Sequence, residues 1–195
     1  YYNLVETDAN RTVTFSSVDG LAGTVSLDGP MGAGTAFLSP ILKAGGLKAV
    51  QVADTGRPAG VAQLTADAGS VTVQPDVPVK LQVLVPGEAP APGTAGGKTT
   101  SNPVIQTAGQ GFDVIANLTD AYWNVVTSGA MPAVLLSNTD SNVDVWFAAG
   151  KVQQPRVRNH GLVNGTWTFT GNALVTAGNS AVFSASDVSA QPKYA

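Results

Sequence analysis

A chain of 195 residues with no cysteine, one histidine and a net charge of −3 has no thiol chemistry, no disulfide framework, no cysteine-containing zinc site and no field for nucleic acid. The charged fraction is 12%, about half the usual ~25%, yet 44% of the residues are hydrophobic, so the chain can build cores and is not disordered. No run of ~18 apolar residues offers a membrane span, and no charged, apolar leader opens the sequence, so an export signal would lie upstream.

Taken in chain order, short runs rich in Val, Thr, Phe and Trp recur between Gly, Pro, Asn and Asp clusters, with the spacing of a β-sandwich. Strands are predicted at 12–16, 35–42, 48–52, 70–74, 79–85, 112–118, 133–137, 143–147, 166–170 and 181–185. No 11-residue window keeps a helical apolar stripe free of Gly or Pro, so helix is not expected. The fold class read from this pattern is all-β and antiparallel, with Phe15, Leu136, Trp146, Trp167, Phe169 and Phe183 pointing inward. The Gly/Pro-rich stretch at 86–97 is a loop. In Phe112-Asp113-Val114-Ile115-Ala116-Asn117-Leu118, alternation buries one face and leaves the other mostly wet. Asp120 and Asn124 then bracket a turn.

The chain also repeats itself. Tyr1-Tyr2-Asn3-Leu4-Val5 reads against Tyr122-Trp123-Asn124-Val125-Val126, and at the same offset of 121 Val13 falls on Val134 and Asp19 on Asp140. Leu42-Lys43-Ala44-Gly45 then matches Val175-Thr176-Ala177-Gly178 and Asp54 matches Asp187 at an offset of 133, so the second copy carries about twelve extra residues, assigned to an insertion at 151–163. Repetition at a domain-sized period marks an array of modules. The joint is placed at Gln74-Pro75-Asp76-Val77-Pro78, since two prolines so close cannot both sit in a central strand. The expected domains are therefore 1–76, a module lacking its first strands, and 77–195, a module lacking its last. A start within a motif suggests a window of a longer protein, the missing strands coming from that chain or from neighbouring subunits by strand donation.

Gln106-Thr107-Ala108-Gly109, the run from Phe112 to Asn124, and Val134-Leu135-Leu136-Ser137-Asn138-Thr139-Asp140 resemble the bacterial immunoglobulin-like repeats of large secreted and surface proteins, invasin- and intimin-like in the broad sense. The resemblance covers most of the second copy and the later part of the first. Trp123 stands where that family usually has Gly. The resemblance implies tandem immunoglobulin-like β-sandwich modules and an extracellular or cell-surface location.

Chemistry-bearing residues are sparse. One histidine and no cysteine leave little for a triad or a zinc site, and the carboxylates are scattered through turns. Neither an enzyme nor a cofactor is expected. Asp120 and Asp140 are weak oxygen-ligand candidates for calcium. Trp123, Arg156, Arg158 and His160 are candidate contacts for a glycan or a surface protein, because arginine grips carboxylate or sulfate with paired bonds. Asn10, Asn117 and Asn164 head formal glycosylation sequons. The function expected is a structural module of a stalk, adhesin, surface layer or filament subunit, with neighbouring modules as partners. A glycan- or protein-binding module is the alternative, and a phage decoration or fibre protein a further one.

Overall fold

The computed structural model describes residues 11–20, 23–32, 35–56, 67–99, 103–178, 180–190 and 194. Asn10 and the Tyr1 to Thr7 part of the repeat lie outside them. The chain divides into two compact units, Tyr1–Gln74 and Pro75–Ala195. Strands dominate both, and every pairing is antiparallel.

The first unit carries β1 (Thr12–Val18), β2 (Thr24–Pro30), β3 (Gly46–Gly56) and β4 (Asp67–Val73) in one sheet of order β2-β1-β3-β4. Val13 opposes Asp54, Phe15 opposes Val52, and Ser17 opposes Val50. On the face these residues share, Val13, Phe15 and Val52 line a cavity of about 320 Å³ with Met31, Ala36 and Leu38. The strand expected at 35–42 does not form: beyond a single bridge between Gly32 and Thr35, the segment is irregular. Pro40 has no N–H to give a ladder, and among the described residues of this unit no strand lies beside it. Phe37 and Ile41 consequently stand 94% and 67% exposed.

Among the described residues, the second unit has two three-stranded sheets. One is β5 (Lys80–Leu84), β6 (Phe112–Thr119) and β9 (Thr166–Asn172), with β6 central; the other is β10 (Phe183–Asp187), β7 (Ala133–Asn138) and β8 (Arg158–Gly161), with β7 central. Their inner faces meet in one core, in which Leu81, Val114, Ala116, Leu118 and Phe169 pack with Val134 and Leu136. The arrangement is sandwich-like, as period-two burial on both sheets requires. Phe183 and Trp167 close its margins half-buried, Phe183 meeting Phe112 edge-on at 5.7 Å.

Residues 143–147 were expected to be a strand with Trp146 inward. They form instead a helix, α1 (Asn142–Ala148), in which only Val143 is buried. Val145, Trp146 and Phe147 are 67%, 48% and 41% exposed. The helix ends in a glycine cap: Gly150 at φ 67° donates to the Phe147 carbonyl and Lys151 to that of Trp146, the paired closure that satisfies the last carbonyls of a helix. The helix also relocates the insertion. Five residues, 19–23, join β1 to β2, whereas nineteen, 139–157, join β7 to β8; the expected 151–163 segment overlaps only the end of that connection and contains β8 itself. From β8 the chain enters β9 through Asn164 and Gly165, both at positive φ (50° and 78°), under a Val163–Thr166 bridge. Asn-Gly is the pair that such a tight turn favours.

Truncating Phe169 to alanine removes a ring from the centre of this core and should cost ~3–5 kcal/mol. Trp167→Ala should cost less, since Trp167 lies at the margin. Urea unfolding followed by far-ultraviolet circular dichroism measures both.

Candidate functional site

The side chains singled out in the sequence fall into two clusters of the second unit. The first surrounds the turn after β6. Asp120 is fully buried, and its carboxylate accepts from the backbone N–H groups of Asp76, Tyr122 and Asn124 and from the Asn124 side-chain amide, at 2.8–3.0 Å. Burial opposes its ionisation, but the bonds from the Asn124 side chain and from the Asp76, Asn124 and Tyr122 amides outweigh it and hold the pKa below 3.8. The oxygens proposed as calcium ligands are thus occupied by backbone donors.

Trp123, held at φ 69°, carries the Lys80 ammonium 3.5 Å from its ring centroid and donates from Nε1 to the Ala95 carbonyl at 3.2 Å. Gly97 packs directly on the ring: a Cβ there would fall 2.2 Å from it. Gly93 N–H donates to the Tyr122 carbonyl, and Lys98 pairs with Glu88 at 2.9 Å. Trp123 is therefore an anchor under the Gly/Pro-rich loop rather than an open platform. A polar row runs beneath the same loop. Thr166 donates to Asn117, Asn117 to Gln82, and Gln82 to the Gly97 carbonyl. Asn117 is buried with its amide nitrogen engaged, so the folded unit has no room for a glycan there; Asn164 is exposed.

The second group follows β7 in the chain, with Asp140 just past its end, Arg156 ahead of β8, and Arg158 and His160 on β8. Asp140 accepts from the backbone N–H groups of Val175, Thr176 and Asn142 and from the Thr176 hydroxyl. Burial opposes its ionisation too, and the hydrogen bonds from Thr176, Val175 and Asn142 prevail, keeping it below 3.8. In the first unit Asp19 does the same for the N–H groups of Lys43 and Ala44, at 2.5 and 3.0 Å.

Arg156 bridges Asp144 at 3.1 Å and the Asn138 carbonyl at 3.0 Å. Its backbone amide, ahead of its guanidinium, draws the Asp144 pKa down. Arg158 reaches the Thr170 carbonyl and Asn172, over the Phe169 ring; burial lowers its pKa. His160 stacks on Trp167 with centroids 3.4 Å apart. The three basic residues thus fasten the β8 edge to its surroundings instead of forming one outward basic patch. Among the described residues no group of three His, Asp or Glu side chains could hold a metal, and no helix is long and apolar enough to cross a membrane. Sequence reasoning missed the exposed aromatics of α1, for which the signal was Gly150 closing an apolar run.

No protein-family model matches the chain, and no curated protein matches it. Among solved structures it is similar to the apo structure of Bacteroides uniformis beta-glucuronidase 3, at 16% identity and a TM-score of 0.37, over 92% of this chain and 20% of that one. The chain thus spans about a fifth of that protein's length, and a likeness of this degree supports no conclusion about fold or chemistry.

Two outcomes are expected. Gly97→Ala drives a methyl into the Trp123 ring at a positive φ and should destabilise the unit by roughly 1–3 kcal/mol, read from tryptophan fluorescence in urea. The three tryptophans, at 123, 146 and 167, all report on the second unit. Asp120 and Asp140 titrate below their ordinary 3.8 when folded, so their stabilisation is complete above that pH and disappears as pH falls through the folded values. The urea midpoint should drop on going from about pH 6 to about pH 3, and less so in Asp120→Asn.

Proposed function

We propose that the chain is a non-enzymatic structural segment of an extracellular repeat protein, built from tandem immunoglobulin-like modules. One observation carries this reading. Val13 opposes Asp54 and Phe15 opposes Val52, while Val134 opposes Asp187 and Leu136 opposes Ala185, so residues matched at offsets of 121 and 133 take matching places in two strand pairs. The same matching sets Asp19 beside Asp140, each clamping backbone amides of the segment that enters β3 or β10. Two stretches that fold alike down to a buried clamp are best read as copies of one module.

The strand order supports the immunoglobulin-like form. β5-β6-β9 facing β8-β7-β10 is the two-sheet pattern of that sandwich without its last strand, and β2-β1-β3-β4 supplies the opposite part, the second sheet with a last strand in place. The carboxylates, arginines and histidine serve structural bonds, which suits a load-bearing or spacing role. The low charged fraction and the resemblance to surface repeats favour an extracellular setting.

A contact module is the second reading, favoured by α1, where Trp146 and Phe147 are 48% and 41% exposed on an insertion absent from the first unit. Protease shaving of intact source cells, probed with antibody to this chain, tests the first reading: loss of signal without lysis is expected, and signal confined to the cytosol would overturn it. Glycan-array binding abolished by Trp146→Ala would instead favour the second.

A further inference from the structure

The reading of the two units as copies leads to a docking site. In the first unit β3 is flanked on both sides, by β1 and by β4, with Val50 opposite Gly69, Val52 opposite Asp67 and Lys48 opposite Val71. In the second unit the matching strand, β10, pairs among the described residues with β7 alone and forms the edge of its sheet. Backbone bonds at Thr139 to Val182 and Val188 to Ala133 set the alternation of the β7–β10 ladder. They leave the main-chain groups of Phe183 and Ala185 directed away from β7.

At the start of this edge lies a groove of about 660 Å³, lined by Pro103, Val104 and Ile105, by Ala181 and Phe183, and by Val85. Ile105, Val104 and Val182 are 95%, 58% and 61% exposed. The 103–108 wall is held in place: Val104 N–H bonds the Pro86 carbonyl and Gly109 N–H that of Leu174. A sheet edge offering free main-chain groups, next to a slot with apolar walls, is the form used for strand addition.

We infer that this groove takes an extended strand of the β4 kind, with its Gly and Val spacing, added antiparallel to β10 in the register that β4 keeps on β3. That register places a glycine opposite Phe183, where the ring needs the room, and a valine opposite Ala181, over the apolar wall. The ladder supplies affinity through the main chain, and the slot supplies selection for period-two apolar side chains.

The test uses the whole 195-residue chain and a synthetic peptide of the sequence Asp67 to Gln74, with a scrambled peptide as control. Hydrogen exchange is read residue by residue. The expected result is about tenfold slower exchange at the Phe183 and Ala185 amides with the native-order peptide alone. Ala185→Pro, which removes an outward N–H and leaves the bonds to β7 intact, should abolish the effect; Ile105→Lys, at a position that bears no core packing, should weaken it. Unchanged exchange across β10, or equal protection by the scrambled peptide, overturns the inference. Protection with native order in a protein confined to the cytosol leaves the docking site standing and removes only the extracellular reading.

Discussion

Buried carboxylates that collect backbone amides hold this fold together. A sandwich must pass irregular chain from one sheet to the other, and every buried N–H along the way needs an acceptor. Asp19, Asp120 and Asp140 meet that demand, taking two, three and three backbone donors respectively. Ionised oxygens bind amides more tightly than carbonyls do, so each aspartate fixes where the next strand begins. Without Asp140 the loop at 175–176 would lose its anchor on the end of β7, and β10 would have no defined entry. The first unit repeats the device with Lys48 added, its ammonium 3.8 Å from Asp19; the place matching Lys48 in the second unit is Ala181, a small neutral residue that lines the β10 groove.

The Gly/Pro-rich loop shows how a segment with no periodicity can still be ordered. It lies on the outer face of β5-β6-β9, where Gln82, Asn117 and Thr166 stand in one row across three strands. A polar row on an outer face would ordinarily be wet. Here the Gly97 carbonyl and the Trp123 ring close over it, so Gln82 and Asn117 are buried at 1% and 4%. Glycine at 97 allows that approach: a side chain would collide with the ring.

Strands whose burial is self-evident along the sequence were legible. The apolar alternation of Phe112, Val114, Ala116 and Leu118 let that core face be read without knowing its neighbours, but the outer face expected to be mostly wet is buried at Asn117 and Thr119. The all-β, antiparallel character followed from such runs. β8 was not legible, because Arg-Asn-His-Gly carries no β-forming residue and is a strand only through pairing with β7. α1 failed for a related reason: seven residues with one buried side chain present no stripe, and the run Val-Asp-Val-Trp-Phe reads as a strand unless Gly150 is recognised as a cap. Among the site residues, the turn role of Asp120 could be seen locally. The covering of Trp123 could not, since the residues that cover it lie 26 to 43 positions away, and the burial of Asn117 likewise depends on Gln82 and Thr166.

Sheet edges decide what such a module can join. Exposed strands pair indiscriminately unless something blunts them, and several edges here are blunted. β2 carries Asp28 and ends on Pro30; β8 is four residues long and carries Arg158 and His160; β9 is kinked at Gly171, φ 69°. β10 differs. Its one charge, Asp187, is buried and occupied with Ser189 and Tyr194, leaving Phe-Ser-Ala-Ser with neither charge nor proline along the edge. This smooth edge beside an apolar slot is the one that the inferred docking uses, whereas Asp28 and Pro30 on β2 and the short, basic β8 oppose pairing at theirs. On the proposed modular reading, such a difference between edges would give joining a single direction, because an accepting edge and a donated strand are different surfaces.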